Sequence, residues 1–301
     1  MYGERVNLIK GQVPEFYHCR CKYCQKILGE LLRPDGSYYS RLERRQYYDP
    51  SESGSKNADG SKKHSHIAKS PLHVSRWAIQ QYTKPDQWVL DPTCGAGTTI
   101  VEAVTQGRNA AGMELEYGDI LKANIAKAKE INNLPIVKIG NGDAREIATF
   151  LEKAKVPPVH LVLNNPPYSG DVSMPSPKGK LRGKEHRDQE ITFKYDKTLP
   201  NLAFLKEGEE YWQTMMEIYK ACVGHLVKGG FLVLGIKDMS KNKEPFLLHK
   251  MFCEQIEDSL KLKFVGTAFL KHHPGTLHLN SCMKRHGFEP PKHQTISVFK
   301  K

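Results

Sequence analysis

The alternation of apolar strands and helical segments from residue 70 onward predicts an α/β fold, a doubly wound and mostly parallel sheet with a small N-terminal appendage. Three observations carry that prediction. The short apolar strand Trp88-Val89-Leu90 runs through a glycine-containing turn into a helix. Short apolar runs then recur downstream with helical segments between them. Finally, Phe231-Leu232-Val233-Leu234-Gly235-Ile236 is a continuous apolar run, as expected of a strand buried on both faces.

The elements follow in order. Residues 72–82 have helical spacing through Leu72, Trp77, Ile79 and Tyr82, and the helix stops near Pro85. Residues 98–105 read as a helix, with Thr98 as its cap. Strand 109–115, helix 120–131, strand 136–139 and strand 159–163 come next. Residues 170–200 are rich in Pro, Gly, Lys and Asp and read as a long loop, a type that is usually functional in a compact domain. Residues 211–227 and 245–260 read as helices, and 264–269 and 295–299 as terminal strands.

The 301 residues allow one catalytic domain and an appendage, divided here into 1–65 and 66–301. Residues 1–65 hold a cysteine cluster, an aromatic-basic stretch at 38–48 and a polar linker at 49–65. No apolar run approaches the ~18 residues needed to span a bilayer. Residues Met1 to Arg5 run into polar sequence with no signal-peptide core, so a cytoplasmic protein is expected. The formal net charge of +12 favours a polyanionic partner over a merely solubilising surface.

The turn after the first strand is Asp91-Pro92-Thr93-Cys94-Gly95-Ala96-Gly97-Thr98-Thr99. Its two glycines let backbone approach a ligand. Glu114, 19 positions beyond Gly95, ends the next strand at the same sheet edge, where an acidic residue takes ribose hydroxyls; alternatively it is a surface Glu that starts a helix. Asp143 follows the third strand and either accepts from an adenine amino group or forms a turn. No lysine follows the glycines, which speaks against a triphosphate-binding loop.

Asn165-Pro166-Pro167-Tyr168, after strand 159–163, is the most specific motif. The prolines stiffen the backbone and leave carbonyls free, and Asn165 adds a side-chain carbonyl. Two adjacent acceptors suit an exocyclic NH2 group, whose lone pair is then aimed at a methyl donor. Tyr168 can stack on a flat ring. The plain alternative is a rigid turn.

With both motifs in view, the chain resembles the S-adenosylmethionine-dependent DNA amino-methyltransferases, the N6-adenine and N4-cytosine family. The stretch from Asp91 to Thr99 looks like that family's cofactor motif, and Asn165-Pro166-Pro167-Tyr168 like its catalytic motif in the form usual for adenine N6. Residues 68–84 resemble the helix over the cofactor's methionine end, residues 228–234 the fifth-strand turn, and residues 293–299 the last strand. The resemblance, over roughly residues 66–301, implies a Rossmann-like class I methyltransferase. It implies S-adenosyl-L-methionine held by Asp91, Thr93, Cys94, Gly95, Gly97, Thr98, Glu114 and Asp143. It further implies direct in-line methyl transfer to adenine N6 in DNA, in the setting of DNA methylation and restriction-modification.

Thr93-Cys94 is also familiar from RNA guanine-N2 methyltransferases, which keeps that alternative open beside cytosine N4 and a non-catalytic nucleic-acid-binding subunit. Cys94 sits in the cofactor loop and is not read as a nucleophile. A duplex target would be flipped out of its stack; Phe193 and Tyr195 either hold the flipped base or pack the 170–200 loop. Little room remains after residue 240 for a large target-recognition domain; the residues available for recognition are the N-terminal segment and the 170–200 loop, with a homodimer or a separate specificity subunit as the other source.

Cys94, Cys222, Cys253 and Cys282 are scattered and read as reduced. Cys19, Cys21 and Cys24 cluster, but zinc needs four ligands and no second cysteine pair exists. A fourth ligand would have to be His18, His64 or His66, so a metal-free cluster is expected.

Overall fold

The computed structural model describes residues 7–10, 19, 21–33, 35, 37, 70–168, 200–202, 205, 208–241, 244–271 and 293–301. The aromatic-basic stretch, the linker, the 170–200 loop but for its last residue, His18, His64, His66 and Cys282 lie outside them.

The chain order is β1 (Asn7–Ile9), α1 (Lys22–Gln25), β2 (Ile27–Leu32), α2 (Leu72–Tyr82), β3 (Trp88–Asp91), α3 (Thr98–Thr105), β4 (Asn109–Glu114), α4 (Gly118–Ile131) and β5 (Val137–Asn141). A 3-10 turn (Ala144–Glu146) leads into α5 (Ile147–Lys153) and β6 (Val159–Asn164). Then come α6 (Glu209–Gly224), β7 (Leu226–Lys237), the short strands β8 (Met239–Lys241) and β9 (Glu244–Phe246), α7 (Leu248–Leu260), β10 (Lys263–Lys271) and β11 (His293–Lys300).

Nine strands form one sheet in the order β1-β2-β10-β11-β7-β6-β3-β4-β5. The β5-β4-β3-β6-β7 half is parallel throughout. β11 runs antiparallel between β7 and β10. This is the predicted α/β class, with a doubly wound and mostly parallel sheet. β8 and β9 pair only with each other, which delays the helix predicted from residue 245 until Leu248.

Alternation along the strands sends side chains to two core layers. Val89, Leu161, Leu163 and Val233 pack with Val74, Trp77 and Ile79 of α2, Ile100 of α3 and Leu121 of α4. Leu90, Val162, Leu232 and Leu234 pack with Ile147 of α5, Tyr211 and Tyr219 of α6, and Phe252 and Ile256 of α7. Each fully buried aliphatic or aromatic side chain contributes about 1.5–3 kcal/mol of transfer energy. Among the described residues no helix is long and apolar enough to cross a membrane.

The boundary drawn at residue 65 is not a break in the sheet. β2 pairs in parallel with β10, and β1 pairs antiparallel with β2, so the N-terminal segment widens the sheet by two strands. The chain first winds from β3 outward to β5, then returns to β6 on the other side of β3. That reversal opens a crevice at the carboxyl ends of β3 and β6, the place where open α/β sheets bind ligands.

Candidate active site

Both sequence motifs sit at this crevice. β3 delivers the glycine loop, in which Gly95 (φ 54°) and Gly97 (φ 93°) adopt left-handed backbone. The structure makes Gly97, not Thr98, the cap of α3, and Thr98 is the first helical residue. The reason is the turn itself: only a left-handed residue brings the chain sharply into the helix, and glycine does so without a Cβ penalty.

The carboxylate of Asp91 is buried and accepts from the Thr93 backbone N–H at 3.1 Å and from Asn164 Nδ2 at 2.9 Å. Burial pushes its pKa up to about 6. Asn164 Nδ2 also donates to Thr93 Oγ1 at 2.7 Å, and Tyr219 of α6 donates its hydroxyl to Asn164 Oδ1 at 2.8 Å. Asn164, last in β6 and fully buried, therefore ties the glycine loop to the second motif. Sequence reasoning passed over it in favour of its neighbour.

Cys94 is buried, its sulfur bonded to the Asp91 carbonyl at 3.3 Å. Burial pushes its thiol well above the ordinary value, the reverse of what a nucleophile needs. Gly112 of β4 lies beneath; a Cβ there would meet Cys94 Sγ and the Asp91 carbonyl, each at 2.4 Å.

Glu114 is largely buried at the end of β4. Its Oε2 accepts from Gly95 N–H at 2.6 Å, and its Oε1 from the N–H groups of Glu116 and Tyr117 at 3.0 and 2.9 Å. The carboxylate thus faces the glycine loop and keeps lone pairs for a diol. Asp143 lies at the same edge, next to Gly142, whose N–H donates to the Glu114 carbonyl at 2.9 Å. Its carboxylate caps the 3-10 turn and pairs with the Arg145 guanidinium. A ligand would share it with that cation.

On the far wall, residues 165–168 follow β6 without regular structure. Asn165 Oδ1 accepts from Gln294 Nε2 of β11 at 2.8 Å, while its own Nδ2 is buried without a partner among the described residues. Gly235 makes room for this amide: a Cβ there would come within 2.3 Å of Asn165 Oδ1. The Pro167 carbonyl, read from sequence as free, accepts from Tyr211 at 2.8 Å. No described residue donates to the Pro166 carbonyl. The Tyr168 hydroxyl accepts from Lys237 N–H at 2.7 Å, which anchors the ring by its far end.

Behind the glycine loop, Arg76 of α2 grips Glu102 of α3 with two parallel bonds of 3.0 Å. Both side chains are buried. The pair fixes α2 against the helix that the loop opens.

Comparison with known proteins agrees with the geometry. The DNA methylase family of the N6/N4 type matches residues 22–123. Type II methyltransferase M.MthZI of Methanothermobacter thermautotrophicus is 34% identical over 21% of this chain and 18% of its own length. Type II methyltransferase M.HindIII of Haemophilus influenzae is 40% identical over 18% of this chain and 17% of its own. The tRNA (guanine(10)-N2)-dimethyltransferase of Methanocaldococcus jannaschii is 25% identical over 34% of this chain and 27% of its own. The matched stretches thus span under a third of these relatives.

By fold the chain is a doubly wound α/β protein with a ligand crevice at the carboxyl ends of β3 and β6. In sequence, residues 22–123 are similar to the N6/N4 DNA methylases, the amino-methyltransferase family its motifs resemble. The cofactor of that family, S-adenosylmethionine, fits the residues present: a positive-φ glycine loop faces a buried carboxylate across the crevice.

Proposed function

We propose that this protein methylates the exocyclic amino group of a nucleic-acid base, adenine N6 in DNA. The observation that carries the reading is the bridge from Asp91 and Thr93 through Asn164 to the adjacent Asn165, which joins a cofactor loop to an amine-binding loop. The +12 net charge suits the polyanion.

When bound, S-adenosylmethionine supplies an electrophilic methyl group. Asp91, Thr93, Cys94, Gly95, Gly97 and Thr98 shape the loop that receives it; Glu114 accepts from the ribose hydroxyls, and Asp143 lies within the same edge. Asn165 Oδ1, with the lone pair that Gln294 leaves, and the Pro166 carbonyl accept the two amino protons. The nitrogen lone pair is thereby withdrawn from conjugation and aimed across the crevice. Pro167 and Tyr168 hold this loop rigid, and the Tyr168 ring offers a stacking face. Catalysis is positioning and electrostatics, with no covalent enzyme intermediate.

The orphaned Asn165 Nδ2 suits a base with an acceptor ring nitrogen beside its amino group. Adenine and cytosine offer one, as guanine does at N3, so one amide can meet both groups. A second reading, guanine N2 in RNA, is favoured by the archaeal tRNA relative and by Thr93-Cys94. A second copy or a specificity subunit would read the target sequence, in a restriction-modification setting like that of the type II relatives.

The test is transfer of labelled methyl groups to DNA and to RNA, followed by nucleoside mass spectrometry. N6-methyldeoxyadenosine is expected. N4-methyldeoxycytidine or N2-methylguanosine would move the target to that base, and no transfer to either polymer would overturn the reading.

Two variants probe the halves of the site. Glu114→Ala should weaken S-adenosylmethionine binding about 10- to 100-fold by calorimetry, through loss of charged hydrogen bonds. Gly235→Ala should leave the fold intact, since Gly235 needs no left-handed backbone, yet lower kcat roughly 100-fold by displacing the Asn165 amide. Unchanged values in either assay would remove that residue from the site.

A further inference from the structure

The expectation of a metal-free cysteine cluster rested on a missing fourth ligand, and the fold brings one from elsewhere. Cys19, Cys21 and Cys24 surround His249, the second residue of α7, which lies 225 positions beyond Cys24. The four ligand atoms lie within 4.8 Å of one another. We propose that Cys19, Cys21, Cys24 and His249 form a structural zinc(II) site.

The separations among Cys21, Cys24 and His249 are somewhat shorter than those of a tetrahedral site. Cys21 Sγ is 3.5 Å from Cys24 Sγ and 3.4 Å from His249 Nε2, and Cys24 Sγ is 3.0 Å from His249 Nε2. Standard zinc bond lengths place tetrahedral ligand atoms roughly 3.8 Å apart for two sulfurs and roughly 3.6 Å for sulfur and nitrogen. The set as a whole lies within 4.8 Å, so side-chain shifts of up to about 1 Å bring the four atoms to those separations.

The surroundings are built for a metal as well. His249 Nδ1 pairs with Asp238 Oδ2 at 2.5 Å, and His249 N–H donates to Asp238 Oδ1 at 3.0 Å. The carboxylate fixes the ring so that Nε2 presents its lone pair to the three sulfurs, the usual support of a zinc-bound histidine. Cys21 N–H points at Cys19 Sγ at 3.4 Å, a bond that stabilises a thiolate. Cys19, Cys24 and His249 are buried. With four protein ligands no coordination position is left for water, so the site is structural rather than catalytic. Binding releases the three thiol protons to solvent.

The ion would rivet the N-terminal segment to the start of α7 and, through the His249–Asp238 pair, to the residue that follows β7. Asp238 follows Lys237, whose N–H anchors the Tyr168 hydroxyl, so the rivet stands one residue from the support of the amine-binding loop. The site does not depend on which base is methylated.

Purified full-length protein should hold about one zinc per chain by mass spectrometry, and Cys24→Ser and His249→Ala should lose it. Because those variants can fail to fold, wild-type protein stripped by a chelator is also titrated with cobalt(II) alone. One equivalent should give thiolate-to-cobalt charge transfer and the visible bands of a tetrahedral, sulfur-rich site, both erased by zinc. Asp238→Asn should keep one site per chain but weaken zinc affinity 10- to 100-fold. Zinc well below one per chain together with no thiolate–cobalt band would overturn the proposal. So would a Cys21–Cys24 disulfide in the purified protein.

Discussion

Asn165→Ala is expected to abolish methyl transfer while leaving S-adenosylmethionine affinity within about twofold. The side chain contributes an acceptor used only when the amino nitrogen is being methylated. Losing one such preorganised contact costs roughly 100- to 1,000-fold in kcat. Here the loss is compounded, because Gln294 is left with an unmet donor in a buried place. The cofactor loop is tied to Asn164 rather than Asn165, so it keeps its hydrogen bonds. Single-turnover transfer beside calorimetric binding separates the two effects. Full activity would sink the assignment of the amine site, and a large loss of cofactor affinity would merge two sites that stand apart here.

Arg76→Met is expected to be the most destabilising single change at the site. It takes from the buried Glu102 carboxylate the two charged bonds that Arg76 supplies. Breaking one side of a buried pair costs about 3–5 kcal/mol, which lowers Tm by roughly 10 °C in a chain of this size. The double variant Arg76→Met with Glu102→Leu should recover most of that loss, because the cost lies in the abandoned charge rather than in a missing attraction. Equal melting of the single and double variants would show that the charge is relieved in another way. Thermal unfolding followed by circular dichroism decides it.

What could be read from the sequence is local. The bounds of α2 and α3, the strand before the glycine loop and the Asn165 motif all rest on neighbours within a few residues. What could not be read depends on residues that meet across the fold. Nothing adjacent to His249 marks it as a partner of Cys24, and Gln294 looks like any polar residue of a terminal strand until β11 lies beside β7. β2 was hidden by its own content: Gly29 and the buried charge of Glu30 interrupt its apolar pattern. In the fold Glu30 is buried, with His293 Nε2 3.5 Å from its Oε1. α5 is only seven residues long, too short for its period to show. The Thr98 cap failed for a different reason, since a hydroxyl at a helix start is a weaker cue than a neighbouring glycine in left-handed backbone.

The pairing of β2 with β10 also sets an order of assembly. Thr267 of β10 donates to the Tyr23 carbonyl, 244 positions away, at 3.0 Å. Such contacts raise contact order and slow folding, because a very large loop must close before they form. A ribosome adding about 5–20 residues per second would release β2 roughly 10–50 s before β10 exists. During that interval β2 has β1 but not β10 to pair with, and the cysteines just before it lack His249. The segment that holds Cys19, Cys21 and Cys24 is therefore seated only after β10 and α7 are made, and until then its cysteines are open to whatever metal or oxidant the surroundings hold.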